Sequence, residues 1–279
     1  MHWLARMVKH GSAIRNSMRS VLLVCIVALL APQRAAAQQA GDPGKDVAYF
    51  PSAPAMVERM LDMAKVGPGD RVVDLGSGDG RNVIAAAKRG ASAVGVEYNP
   101  DLVALARRNA VEAGVAELAR FVQGDMFEAD VSQASVLVLF LIPENLVRLE
   151  PKFRNLTPGT RIVSNYYQIP GWEPAASDTV RGDCETWCQA WLYIVPARVE
   201  GTWRLHAGEL VLAQEFDSLS GTLTTPTGGR LAIVNGRVAA DRIRFLVGLD
   251  EYEGRIRGER MEGTVSGASS GAWAATRAR

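Results

Sequence analysis

Histidine is nearly missing from this chain: three occur in 279 residues, His2, His10 and His206. The first two fall in a basic N-terminal stretch that reads as removable, which leaves His206 alone in a β-rich tail. A multi-histidine metal site and a histidine base in the first half of the mature chain are thereby excluded, and no metal is expected. Cysteine is equally scarce, with Cys25, Cys184 and Cys188 only, too few for a cysteine-rich zinc site. Cys184 and Cys188 read either as a disulfide or as two free thiols. A bridge between them needs a turn, because residues i and i+4 on an extended strand lie too far apart. Long apolar runs are also absent. The run Val21 to Ala31 is eleven residues, where a helical span needs about 20. No stable membrane span is expected in the mature chain.

What stands at the N-terminus instead is an export signal. Arg6, Lys9, Arg15 and Arg19 precede the apolar run, and Ala35-Ala36-Ala37 supplies small residues for cleavage before Gln38. Residues 1–37 are therefore expected to be a signal peptide, and the mature protein to be exported and periplasmic. Cys25 follows Val24, too large for a lipidation box, so a lipid anchor is not expected. The segment holds five basic residues and no acidic one, so its removal takes the formal charge from +1 to −4. That balance does not suit a nucleic-acid binder, and no nucleic-acid partner is expected.

Residues 38–47 are polar and rich in Gly, Pro and Ala, a flexible leader. From 48 to 200 the pattern alternates. Val57, Met60, Leu61 and Ala64 have helical spacing. Strands are expected at Val72–Leu75, Ala93–Val96, Phe121–Val122, Val136–Ile142, Arg161–Tyr167 and Trp191–Val195. Between them, Asn99-Pro100 caps a helix with a stripe of Leu102, Leu105 and Ala106, and residues 144–150 read as another helix. This is an α/β fold, a Rossmann-like doubly wound sheet. Residues 201–279 change character, with short β-branched runs separated by Gly228-Gly229, Asn235-Gly236 and single glycines, the pattern of a small antiparallel β meander or barrel.

The chemistry concentrates in Val72 to Arg81. An apolar strand ends in Asp74, turns through Gly76, Ser77, Gly78 and Gly80, and enters a helix. Glycine permits positive φ and close approach of a ligand to the backbone. A strand–loop–helix unit of this kind presents a nucleotide site in doubly wound sheets. The spacing is GxGxG, unlike the GxGxxG of dinucleotide folds, which favours S-adenosyl-L-methionine over NAD. Two more carboxylates follow at strand ends, Glu97 and Asp125. Glu97 is placed to accept both ribose hydroxyls, Asp125 the adenine amine, with Met126 near the ring.

These segments, Asp74-Leu-Gly-Ser-Gly-Asp-Gly, Val94-Gly-Val-Glu97 and Gly124-Asp125-Met126-Phe127, resemble the cofactor motifs of class I S-adenosylmethionine-dependent methyltransferases. Tyr49-Phe-Pro-Ser-Ala-Pro54, Phe140-Leu-Ile-Pro-Glu and Leu156-Thr-Pro-Gly-Thr-Arg-Ile-Val-Ser164 with Ile169-Pro-Gly-Trp172 are similar to a subgroup. That subgroup is related to histone-lysine methyltransferases of the telomeric-silencing type and to mitochondrial protein-lysine methyltransferases. The resemblance covers roughly 48–200. It implies S-adenosylmethionine-dependent transfer of a methyl group to an amine such as a protein lysine. A small-molecule acceptor, or a non-catalytic ligand-binding protein of the envelope on the same fold, stays open. The subgroup's Pro-Thr-Pro is here Pro51-Ser-Ala-Pro54, its Tyr-Leu-Leu-Pro begins with Phe140, and the Asn/Asp-Pro-Pro-aromatic motif of common amino-methyltransferases is absent. The expected substrate channel comprises Tyr49, Phe50, Phe140, Asn165, Tyr166 and Trp172, whose aromatic faces favour cations. No catalytic residue is assigned.

Overall fold

In the computed structural model, residues 49–278 are described; the signal peptide and leader expected at 1–47 lie outside them. Helix α1 (Pro54–Met63) opens on a proline, whose missing N–H costs nothing in a first turn. It buries Met56, Val57, Met60 and Leu61. Strands β1 (Arg71–Leu75), β2 (Ser92–Glu97) and β3 (Ala119–Gln123) alternate with α2 (Arg81–Lys88) and α3 (Pro100–Glu112). Asn99 caps α3 by accepting the Asp101 N–H at 3.0 Å. The buried stripe is Leu102, Val103, Ala106 and Ala110, so Val103 takes the place expected for the half-buried Leu105.

Strand β4 (Val136–Leu139) is buried along its length, as a central parallel strand must be. It is shorter than the apolar run, because the chain leaves the sheet at Phe140 and Pro143 starts α4 (Pro143–Arg154), a longer helix than 144–150. β5 (Arg161–Asn165) ends two residues earlier than expected, where Tyr166 turns to φ 64°. The sheet order is β3-β2-β1-β4-β5-β7-β6, and β7 (Gln189–Ile194) runs antiparallel to both neighbours. The edge strand β6 (Ala176–Thr179) had no apolar signature, being a polar, largely exposed Ala-Ser-Asp-Thr. The order reverses between β1 and β4, and a ligand crevice belongs at the strand carboxyl ends there.

Eight further strands close into an antiparallel barrel: β8 (Gly201–Leu205), β9 (Gly208–Glu215), β10 (Ser218–Thr224), β11 (Arg230–Ala239), β12 (Arg242–Val247), β13 (Asp250–Arg257), β14 (Arg260–Ser266) and β15 (Gly271–Arg277). Closure pairs β15 with β8 and β9 with β10, which removes the exposed sheet edges. Trp203, Phe245, Tyr252 and Trp273 fill its interior. Gly228-Gly229 lies in the β10–β11 turn. Asn235-Gly236, expected as a hairpin turn, sits inside β11 instead, where the pairing with β12 shifts register between Val234 and Arg237. There two residues of β11 oppose the single Phe245 of β12, a bulge that bends and twists the ten-residue strand. The barrel seats on the sheet through Phe216, which stacks on Trp172 with ring centroids 4.8 Å apart. Arg242, Arg244, Arg255, Arg257 and Arg260 all face solvent.

Candidate functional site: a pocket at the carboxyl ends of the central strands

A cavity of about 330 Å³ opens beside the glycine loop, within the size range of ligand pockets. Gly76, Gly78 and Gly80 have φ of 80°, 54° and 85°, values that non-glycine residues rarely adopt. At Gly80 a Cβ would sit 2.6 Å from Phe121 and 2.9 Å from Ala106. At Gly78 it would collide with the Tyr49 ring. The loop hangs from the end of β2: Gly76 and Ser77 donate to the Val96 carbonyl at 2.9 and 3.1 Å. Gly78 donates to Glu97 Oε2 at 2.9 Å, and Asn99 donates to Glu97 Oε1 at 2.8 Å. Glu97 is thus a strut for the loop as well as a pocket wall. A carboxylate has about four acceptor positions, so capacity for two hydroxyls remains.

Tyr98, Gly124, Asp125, Met126 and Phe127 also line the wall. Asp125 Oδ1 accepts the Phe127 N–H at 2.8 Å, which fixes the carboxylate at the start of a turn. Arg148 of α4 lies 3.5 Å over the Phe127 ring. Asp79 and Arg81, both at the wall, form a fork, with Arg81 Nη2 2.6 Å from Asp79 Oδ2 and Nε 3.0 Å from Oδ1. Burial raises the Asp79 carboxyl, but the Arg81 guanidinium outweighs it and holds the pKa below the ordinary value. Arg81 Nη1 also donates to the Ser52 carbonyl at 2.5 Å, tying the segment before α1 to the loop. The Tyr49 hydroxyl is pushed up to about 12 by burial and by the nearby Asp79 charge.

Three residues of the pocket wall carry buried polar atoms without a protein partner: Tyr49 Oη, Ser77 Oγ and Asn82 Oδ1. Buried polar groups are normally satisfied, and here they line a cavity beside Glu97. This donor and acceptor set fits S-adenosylmethionine, whose amino-acid and ribose ends need such partners. Among the described residues, no cluster of three or more His, Cys, Asp or Glu is arranged to hold a metal.

A family model described as the ANTKMT methyltransferase domain matches residues 74–176. A protein-lysine N-methyltransferase of Saccharolobus islandicus (strain REY15A) is 44% identical over 131 residues, 46% of this chain and 81% of that protein. The chain belongs to the ANTKMT methyltransferase family. By family and fold it is an S-adenosylmethionine-dependent methyltransferase. The adenine nucleotide translocase lysine N-methyltransferase of Mus musculus is 38% identical over 132 residues, 47% of this chain. The chain spans 57% of the length of that relative. The crystal structure of an RNA methyltransferase from Salinibacter ruber in complex with S-adenosyl-L-homocysteine is 43% identical, with a TM-score of 0.50. It covers 54% of this chain and 96% of the other.

Within this ANTKMT-family pocket, Gly76, Ser77, Glu97, Asp125, Met126, Tyr49, Phe50 and Phe140 all line the wall. Gly78 and Gly80 shape the loop from behind. Asp74 does not reach the cavity wall. It is 1% exposed and accepts the Asn82 amide at 3.2 Å. Burial pushes its carboxyl up to about 7, and the charges of Glu97 and Asp79 add to that rise. Asn165 is one step back, donating to Ser52 Oγ at 2.9 Å and so holding the segment that carries Tyr49 and Phe50. Tyr166 is exposed and packs edge-on against Tyr167. Trp172 is not in the channel: it is buried between Tyr193 and Phe216, where Gly171 turns the chain away from the pocket and into the joint with the barrel. Residues not anticipated at the wall are Ser52, Asp79, Arg81, Asn82, Tyr98 and Arg148. Asp79 and Arg81 stand within the glycine motif itself, so their two-residue spacing was a signal to be used.

Proposed function

We propose that this enzyme transfers a methyl group from S-adenosylmethionine to a lysine amine of a protein substrate. The observation that carries the proposal is the aromatic entrance. Tyr49, Phe50 and Phe140 line the same pocket as Glu97 and Asp125, and Phe50 is 54% exposed at its mouth. Glu97 and Asp125 would receive the ribose and adenine ends, and Ser77 and Asn82 the amino-acid end. When bound, the cofactor supplies an activated methyl on sulfonium. The aromatic side chains then align a neutral amine with that methyl and keep water away. With the cofactor held there, attack by the nitrogen lone pair would form the N–C bond as the donor's C–S bond broke, and the nitrogen's surplus proton would pass to solvent. Deeper than the aromatic mouth, where the amine gives up its water, the protonated form is costly to desolvate, which favours the neutral amine that attacks. No histidine base is needed. The Saccharolobus and mouse relatives, named as protein-lysine and adenine nucleotide translocase lysine methyltransferases, support an amine acceptor. Kinship with the telomeric-silencing type belongs to the same proposal and is supported by the segments around Tyr49–Pro54 and Phe140–Glu144.

The test is transfer of labelled methyl to proteins of a cell extract by the purified chain. The expected result is label that survives nuclease, is released by protease and is recovered as methyl-lysine. The Salinibacter relative, named as an RNA methyltransferase, favours a second reading with RNA as acceptor. Label lost to nuclease would establish that reading and overturn the first.

Export to the periplasm is part of the proposed function. It is supported by the basic and apolar character of residues 1–37 and by the Cys184–Cys188 disulfide, a bond that persists in oxidising compartments. Fractionation with N-terminal sequencing should find a mature chain starting at Gln38. A cytoplasmic chain starting at Met1 would refute export.

A further inference from the structure

Between β6 and β7 the chain makes an excursion that the methyltransferase pocket does not require. Cys184 and Cys188 are joined by a disulfide, with Cα atoms 5.7 Å apart. The five-residue ring they close contains Trp187 at φ 56°, a left-handed conformation that is unfavourable for a bulky residue. The base of the excursion is pinned where Val180 donates to the Cys188 carbonyl at 2.9 Å. The Trp187 ring meets Phe50 at 5.1 Å and Phe140 at 5.7 Å between centroids, tilted by 54° and 60°. Phe50 and Phe140 line the pocket that also holds Glu97 and Asp125. Phe50 remains 54% exposed despite this packing, so the trio presents aromatic surface to solvent. The loop lies beyond residues 74–176, the part matched to the family model. Its exposed charged residues are Arg181, Asp183 and Glu185, acidic on balance.

We propose that Trp187, held in place by the Cys184–Cys188 bridge, is the outer wall of the acceptor entrance, where with Phe50 and Phe140 it receives the alkylammonium end of the substrate lysine. Aromatic faces attract ammonium groups, and the net acidity of the loop has the sign that brings a cation to them. Trp187 is a substrate-positioning residue; it is not itself among the residues that line the pocket. The bridge restricts the backbone of its five-residue ring, which an open loop would leave through the strain at residue 187. A dithiol reductant opens the bridge by two-electron exchange, itself becoming a disulfide while Cys184 and Cys188 become thiols. The acceptor wall then loosens and the cofactor pocket is untouched. This inference rests on the lysine reading of the pocket.

The test uses the full oxidised chain with S-adenosylhomocysteine bound and 5-fluorotryptophan incorporated, the Trp187 resonance being assigned by its loss in Trp187→Phe. Titration with Nε-trimethyl-lysine amide should shift that resonance saturably, and norleucine amide, which lacks the charge, should not. In methyl transfer to a lysine peptide labelled in the extract experiment, Trp187→Ala should raise KM about tenfold, the equivalent of about 1.4 kcal/mol. kcat and affinity for S-adenosylhomocysteine should stay unchanged, and Trp187→Phe should restore most of the loss. Cys184→Ser/Cys188→Ser, or dithiothreitol on the wild type, should raise KM in the same direction, and dithiothreitol should leave Trp187→Ala unaffected. A silent Trp187 resonance, or equal shifts with both amides, overturns the proposal, as does an unchanged KM in Trp187→Ala. In those cases lysine methylation itself still stands. Label found on RNA or on no lysine removes the lysine reading and this inference together, so the two failures are told apart.

Discussion

Asp74 offers the most quantitative handle on the site, because its carboxyl is buried beside only one amide donor. Burial lifts it from an ordinary 3.8 to about 7. The side chain is 1% exposed, so little solvent screening reduces the effect. Raising a pKa by one is worth about 1.36 kcal/mol of folding free energy. A raised carboxyl favours the native state while it holds its proton. That contribution is fully present below the unfolded value of 3.8 and is lost as pH rises through about 7. The total change across the window is about 4 kcal/mol. The perturbation is Asp74→Asn, which keeps the shape and the acceptor for Asn82 but cannot ionise. Stability of both proteins is measured by urea unfolding, without cofactor, at half-unit steps between pH 4.5 and 8. The wild type should lose stability relative to the variant by about 1.4 kcal/mol per pH unit up to pH near 7, then run parallel to it. A difference that is flat from pH 4.5 to 7 would falsify the raised carboxyl, and with it the idea that Asp74 sits behind the loop as a buried, partly protonated group.

Other expectations follow from the same geometry. Glu97→Ala removes the acceptor of the Gly78 and Asn99 amides. Calorimetry should show S-adenosylhomocysteine binding weakened by about 10- to 100-fold, as befits about 1.5–3 kcal/mol for a hydrogen bond to a charged group. Unaltered affinity would mean the carboxylate does not face the ligand. Gly80→Ala forces a Cβ against Phe121 and Ala106 at φ 85°. Strain and overpacking together should cost about 2–4 kcal/mol in urea unfolding, and a neutral result would contradict the loop conformation. Trp172→Ala should cost about 3–5 kcal/mol of stability while the KM for both substrates holds. A selective rise in acceptor KM would return Trp172 to the channel.

The legible part of this site was local. Asp74, Glu97 and Asp125 sit at the ends of short apolar strands, and the glycine spacing between β1 and α2 needs only a few residues to be recognised. Even the inward turn of Asp74 had a signal, because it shares a strand face with Val72, which is buried under α1 and α2; side chains two apart point the same way. Trp172 had none. Its destination is set by Phe216, 44 residues later, in the β9–β10 turn of a barrel whose seat on the sheet no periodicity announces. Asn235-Gly236 shows the opposite failure, a strong local turn signal absorbed as a bulge because both flanks continue one strand. The polar β6 was invisible because its pairing with β7, not its composition, makes it a strand.

The same division runs through the pocket. The pocket residues proposed to hold the cofactor, the glycine loop, Glu97 and Asp125, all fall inside residues 74–176, the part matched to the family model. The entrance is assembled across long sequence distances. Arg81 draws the Ser52 carbonyl onto the loop, Asn165 holds the Ser52 hydroxyl, and Trp187 closes against Phe50. Tyr49, Phe50, Ser52 and Trp187 lie outside the family match. If the proposed entrance is right, acceptor choice is expected to follow residues 49–54 and 184–188. Exchanging those two segments with the equivalents of a relative should exchange acceptor preference and leave S-adenosylhomocysteine affinity in place.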